Sequence, residues 1–210
     1  MEPPRFYFGA MSPYSWLAAE RIEALLPEAR WRGVFVGAVF KANGRSSWGL
    51  GEARGEGMAE CEARAAQYGL GTIRWPVPWP TSDLLIARAM TFASRTRAPA
   101  PASGAAGGED EGLLRPLALA AMRLAFLEGG DLGEADTVLE AADRAGLDRL
   151  EVREALVDPE IKQALRECTD EALALGVFGV PTVAIDGGGL YWGDDRLPEA
   201  AAAQRSRASA

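Results

Sequence analysis

The chain has 210 residues, 48% of them apolar and 25% charged, with a formal net charge of −8 and no histidine. That length buries a sizeable core as one domain, or as one domain carrying an inserted subdomain, and the acidic balance disfavours nucleic acid and anionic membrane surfaces as partners. The absence of imidazole excludes Ser-His-Asp and Cys-His nucleophile systems and the common zinc sites, so no metal is expected.

Met1 to Arg5 lead straight into a strand at Arg5–Gly9, and no apolar run approaches membrane-spanning length, so a cytoplasmic protein is expected. Pro13–Leu26 follows as a helix closed by Pro27, and Trp31–Val39 as a second, largely buried strand. From about Gly44 the pattern changes. A Gly- and Ser-rich loop precedes helical stretches around Met58–Tyr68, Ser82–Ser94, Leu113–Leu127, Ala135–Ala145 and Leu150–Val157, with no strand pattern between them. Asp148 with Glu151 resembles a capping box, and Gly146 suits the end of the preceding helix.

Asp158-Pro159 opens a helix whose apolar face is Ile161, Leu165, Cys168, Ala172 and Leu175, ended by Gly176. Gly179–Ile185 then reads as a third strand and Gly189–Trp192 as a fourth, joined through Asp186-Gly187-Gly188, and Asp194-Asp195-Arg196 opens a last short helix. The order predicts an α/β fold interrupted by an all-helical subdomain. Its parts are 1–45 with 158–204 for the α/β domain and 46–157 for the insertion. Residues 97–112, poor in large apolar side chains, read as a mobile loop, and 205–210 as a frayed tail.

The densest information lies at Ser12-Pro13-Tyr14-Ser15, between the strand Phe6-Tyr7-Phe8 and the helix. A small polar residue followed by Pro at the first helical position puts a hydroxyl at a helix N-terminus, where free amides and the helix dipole favour an anion. The residue-level alternative is that Ser12 is only an N-cap. Cys61 and Cys168 are far apart and form no redox motif, and Cys168 on an apolar stripe reads as a buried core thiol.

The sequence Phe-Tyr-Phe, Ser-Pro-Tyr-Ser-Trp, helical insertion, Gly-Val-Phe-Gly-Val-Pro-Thr, hairpin and Trp-Gly-Asp-Asp-Arg-Leu resembles the 2-hydroxychromene-2-carboxylate isomerases and kappa-class glutathione transferases. These belong to the DsbA-like branch of the thioredoxin superfamily. The resemblance implies a thioredoxin-like fold and a cofactor that is glutathione or another low-molecular-weight thiol. Ser12 matches the family's catalytic serine, whose hydroxyl points at the cofactor sulfur. Val180-Pro181 matches the segment with a cis proline that pairs, strand-like, with the cysteinyl backbone of the thiol; on the residues alone Pro181 is equally a strand-start proline. Asp194, Asp195 and Arg196 match the element that binds the γ-glutamyl end, although an Asp pair opening a helix is also an ordinary cap.

Lys41 and Asn43 lie where the family places contacts to the glycyl end and the substrate, and a solvated loop explains them almost as well. Tyr14 and Trp75 are candidate substrate contacts, with Trp75 and Trp79 either lining an aromatic pocket or packing beside their prolines. The chain departs from the pattern at Gly9, where the family commonly has an acidic residue, and at Gly55-Glu56-Gly57. The implied activity is thiol-dependent cis-trans isomerisation of the 2-hydroxychromene-2-carboxylate type. A kappa-type transferase and a non-catalytic module that binds thiols or peptides are the alternatives, and a C2 homodimer is implied by the resemblance. Disulfide exchange is disfavoured because no Cys-x-x-Cys is present.

Overall fold

The computed structural model describes residues 2–96 and 112–208. The mobile loop expected at 97–112 lies outside them, apart from Gly112. The elements run β1 (Arg5–Phe8), α1 (Pro13–Leu25), β2 (Arg30–Gly33), α2 (Val36–Ala42), α3 (Arg54–Gln67), α4 (Leu84–Arg95) and α5 (Leu114–Glu128). They continue as α6 (Ala135–Arg144), α7 (Arg149–Ala155), α8 (Pro159–Ala174), β3 (Thr182–Ile185), β4 (Gly189–Trp192) and α9 (Leu197–Ala208). The sheet order is β2-β1-β3-β4, with β1 parallel to β2 and antiparallel to β3, and β3 antiparallel to β4. The fold is thioredoxin-like, with a mixed sheet and a run of helices between β2 and β3.

Alternation along β1 divides the core. Phe6 and Phe8 point to one face, where their rings lie 5.2 Å apart and Trp31 of β2 meets both edge-on at 5.1 and 5.2 Å. That face packs on α1 through Trp16, Leu17 and Ile22 and on the helices of the insertion. Tyr7 points the other way, into a smaller cluster with Val36 and Val39 of α2, Ala172 of α8, Val180 and Ala184. Three helix starts have a local cause. Ser12 accepts the Ser15 amide at 3.3 Å ahead of Pro13, Asp158 accepts that of Glu160 at 2.7 Å ahead of Pro159, and Asp148 accepts those of Leu150 and Glu151 at 2.8 and 3.1 Å.

Three expectations are corrected. The second strand does not run to Val39: β2 ends at Gly33 and the chain turns at Phe35 into α2, whose Val36, Val39 and Phe40 meet α8 and the sheet at helical spacing. A short apolar run does not distinguish buried strand from buried helix. In the tail expected to fray, α9 continues through 205–208 and Arg207 donates to the Gly187 carbonyl in the β3–β4 turn at 3.1 Å, while 209–210 lie outside the described residues. Leu175 faces solvent at 39% exposure, and Cys168 is only half-buried, its thiol directed at the Gly33 carbonyl at 3.5 Å.

Candidate functional site

A cavity of about 720 Å³ opens where the β1–α1 turn, the start of α2 and the segment before β3 meet the insertion. Ser12 and Tyr14 line it from α1, Val36, Gly37 and Phe40 from α2, Val180 from the segment before β3, and Trp79 to Asp83 from the loop leading into α4. Trp48, from a 3-10 turn at Trp48–Leu50, and Trp192, at the end of β4, add aromatic walls.

Ser12 caps α1 with its oxygen, accepting the Ser15 amide, and its own hydroxyl proton is left to donate into the cavity. Ser15, which stands where the second cysteine of a Cys-x-x-Cys would, is buried and its hydroxyl accepts the Gly9 amide at 3.4 Å. The Val180–Pro181 peptide is cis, and among the described residues neither the amide nor the carbonyl of Val180 has a hydrogen-bond partner. An unpaired donor and acceptor at a cavity wall fit the strand-like docking of an extended peptide. Pro181 itself is buried behind this edge.

The remaining sequence candidates divide. Tyr14 lines the cavity while its hydroxyl donates to Glu60 Oε2 at 2.7 Å; burial first, then this bond, holds the phenol well above its ordinary range, and the same bond holds Glu60 below its own. Trp75 stands one ring behind the wall. It packs against Trp79 at 4.7 Å and donates to Glu62 at 2.8 Å, whereas Trp79 faces the cavity and donates to the Met11 carbonyl at 3.3 Å. Lys41 and Asn43 are exposed and outside the lining; the Asn43 amide donates back to the Val39 carbonyl at 2.9 Å.

Asp194 is fully buried, paired with Arg64 at 2.6 Å and with Arg21 at 3.8 Å, and burial pushes its carboxyl up. Asp195 next to it is open to solvent, 3.7 Å from Arg64, and Arg196 is exposed and pairs with Glu199. Of the two aspartates, only Asp195 is accessible to a ligand.

Sequence reasoning missed Arg45, Phe40, Asp83 and Trp192. Arg45 lies in the Gly- and Ser-rich loop, with its guanidinium 5.9, 5.6 and 5.2 Å from the rings of Phe40, Phe178 and Trp192 and a bond to the Phe178 carbonyl at 3.2 Å. Its place as a basic group at an aromatic cavity depends on three separate segments. Asp83 is buried yet lines the cavity, and its carboxyl is pushed up to about 6 by burial, against the pull of the Val36, Asp83 and Gly37 amides. No local signal marks it.

Cys61 lies beside Tyr14 of the cavity wall, and Cys168 lies away from it. Burial pushes Cys61 up to about 12 and Cys168 up to about 11, and neither lines the cavity. Among the described residues no group of His, Cys, Asp and Glu is placed to hold a metal, and no helix is long and apolar enough to cross a membrane.

The sequence profile of one family, described as a DSBA-like thioredoxin domain, matches residues 5–204. The chain belongs to that family. Among solved structures it is similar to a 2-hydroxychromene-2-carboxylate isomerase, with 21% identity, a TM-score of 0.76, and coverage of 99% of this chain and 98% of that one. A probable DsbA oxidoreductase from Streptomyces coelicolor follows at 19% identity and TM-score 0.70, covering 95% and 88%. The cytosolic disulfide reductase DsbM from Pseudomonas aeruginosa, in a structure with GSH, aligns over 100% of both chains at 15% identity and TM-score 0.62. At these identities the likeness is one of fold. Among curated proteins, no sequence matches.

Proposed function

We propose that the protein is a thiol-dependent isomerase of the 2-hydroxychromene-2-carboxylate type, with glutathione or a similar thiol as cofactor. The observation that carries this reading is the pairing, across one aromatic cavity, of the Ser12 hydroxyl at the start of α1 with the unpaired backbone of Val180. When bound, the thiol supplies a nucleophilic sulfur that adds to a conjugated carbon and leaves again.

The chain's own residues prepare that sulfur. Ser12 donates its proton to it, and the α1 N-terminus favours its anionic form. Lowering a thiol pKa from roughly 8.5 by about two units takes ~2.7 kcal/mol of preferential thiolate stabilisation. A charge-assisted hydrogen bond of ~1.5–3 kcal/mol and a helix-dipole contribution of ~0.3–1 kcal/mol reach that figure without a histidine. Val180 holds the peptide by its backbone, and Asp195 accepts from the ammonium at the γ-glutamyl end. The walls of Tyr14, Phe40, Trp48, Trp79 and Trp192 suit a planar aromatic substrate, with Arg45 available to a carboxylate.

The experiment is calorimetric titration with glutathione, followed by turnover of a conjugated aryl 2-keto acid with and without it. Asp195→Ala is expected to raise the thiol Kd about tenfold and to spare kcat, since that contact is remote from the reacting bond. Thiol that is consumed stoichiometrically indicates a kappa-type transferase. No turnover despite thiol binding indicates a non-catalytic module.

A further inference from the structure

One buried carboxyl in the cavity wall has no part in holding the thiol. Asp83 occupies the N-cap position of α4 but makes no side-chain bond to that helix. It reaches instead to the start of α2, where Oδ2 accepts the Val36 amide at 3.1 Å, with the Gly37 amide beside it. Phe35, at the N-cap of α2, has no capping side chain of its own, so the cap comes from a distant segment. The carboxylate also stands beside the turn that carries Ser12. Oδ2 is 3.4 Å from where a Cβ on Gly9 would be, and the Gly9 carbonyl accepts the Ser12 amide at 3.1 Å. That Cβ would meet Val36 Cγ2 at 2.1 Å, so position 9 has no room for an acid, and the acid of this corner comes from position 83.

A cap alone does not require a titrating group, because Asn, Ser and Thr cap as well. At 6% exposure Asp83 is a buried carboxyl in the wall of the cavity, and burial pushes it up to about 6. No side-chain charge on β1, α2, α4 or α8 contributes to that shift; the charged groups lining the cavity with it are Arg45 and Glu52, both exposed, and the Tyr14 phenol stays protonated. Oδ2 accepts the Val36 amide, and the Gly37 and Asp83 amides also bond the carboxyl.

We propose that Asp83 is the proton carrier of the cavity, giving its proton to the carbonyl oxygen of a conjugated substrate as sulfur adds and taking it back as sulfur leaves. This rests on the thiol-dependent reading above. As the C–S bond forms at the β-carbon, the electron pair of the C=C bond becomes a double bond between the α-carbon and the carbonyl carbon, the C=O pair moves to the oxygen, and Asp83 protonates that oxygen to an enol, becoming a carboxylate. Rotation then occurs about the former double bond. The carboxylate recovers the enol proton, the C=O re-forms and the C–S bond breaks, so substrate and product differ only in geometry and the thiol is returned.

Asp83→Asn keeps an oxygen for the α2 amides and removes the proton. The expected result is a kcat about 10²-fold lower, with the alkaline limb of the pH profile lost, while the glutathione Kd is maintained. A second readout needs neither thiol nor turnover. The infrared C=O band of a protonated carboxyl, absent in Asp83→Asn, should grow as the pH falls through about 6, and it should shift when benzylideneacetone, a conjugated aryl ketone, fills the cavity. An Asp83→Asn enzyme with kcat within about threefold of wild type and an unchanged alkaline limb overturns the proposal. So does a band indifferent to the ketone, which leaves Asp83 a cap for α2. If Ser12→Ala is as active as wild type while Asp83→Asn behaves as expected, Ser12 is not the residue that prepares the sulfur and the proton carrier stands.

Discussion

Replacing Arg64 by Met tests the structural role of the buried Asp194. Arg64 lies between Asp194 Oδ1 at 2.6 Å and Glu60 Oε1 at 2.6 Å, and the Asp194 side chain has no solvent exposure. Arg21 reaches Asp194 Oδ2 only at 3.8 Å, and that oxygen has no hydrogen-bond partner. Met fills much of the arginine stem but leaves a buried carboxylate without its main counterion, which costs about 3–5 kcal/mol. For a chain of this size each kcal/mol moves Tm by about 2–4 °C, so a drop of roughly 6–20 °C is expected. Asp194→Asn in the same background should recover most of the loss, because a neutral amide needs no counterion. The defect should also shrink as the pH falls, since burial already raises the Asp194 carboxyl and its protonated form needs no arginine. Urea unfolding and calorimetry of the four proteins of the cycle measure this. An Arg64→Met loss under about 1 kcal/mol, or an Asp194→Asn change that adds to it instead of relieving it, refutes the argument.

Ser12→Ala is expected to lower thiol-dependent turnover about 10²-fold, the upper end of a ~1.5–3 kcal/mol hydrogen bond to the sulfur, while the lost cap costs only about 1 kcal/mol of stability; steady-state rates at saturating thiol and a melting curve check both. For Asp83 the folded carboxyl is raised from 3.8 to about 6, so the native state holds its proton more tightly than the unfolded chain. Its contribution to stability is complete at low pH and is lost as the pH rises through about 6, so wild type should lose roughly 2 kcal/mol relative to Asp83→Asn between about pH 4 and 7 in paired urea titrations. Replacing Cys61 and Cys168 together by Ala should leave turnover with added thiol within a few-fold of wild type, because burial holds both thiols protonated and neither lines the cavity; loss of activity in a folded double variant would make one of them the nucleophile.

The parts of the molecule legible in the sequence are those fixed by neighbours in the chain. Phe6-Tyr7-Phe8 alternates between two faces, Ser12-Pro13 and Asp158-Pro159 mark helix starts, and the turn at Asp186-Gly187-Gly188 closes the hairpin of β3 and β4. The misread parts depend on residues far away. Val34 to Val39 looked like strand because the cap of α2 is Asp83, on another element. The end of α9 looked frayed because its anchor at the Gly187 carbonyl is a tertiary contact. Asp194 and Asp195 look alike in sequence, and only the packing of Arg64 makes one a buried counterion and leaves the other open. Trp75 and Trp79 were equally plausible wall residues for the same reason.

The same contacts show that the insertion shapes the site as well as covering it. Trp79 donates to the Met11 carbonyl beside Ser12, Asp83 caps α2, and Glu60 and Arg64 of α3 hold the Tyr14 hydroxyl and Asp194. Two stretches of the insertion, α3 and the loop before α4, therefore reach the β1–α1 turn, the α2 start and the turn after β4. A displacement of α3 or of the loop before α4 would move cavity walls contributed by the thioredoxin-like part, because those walls are hydrogen-bonded to it. Aromatic packing strengthens the coupling: Tyr14, Trp48, Trp79 and Trp75 form a row of rings with successive centroids 6.0, 5.0 and 4.7 Å apart, which ends 6.1 Å from Phe126 in the core. Of the cavity's aromatic walls, Trp48 and Trp79 come from the insertion and Tyr14, Phe40 and Trp192 from the thioredoxin-like part. The two can vary separately only where no bond joins them, and Asp83 and Trp79 are the residues at which they are joined.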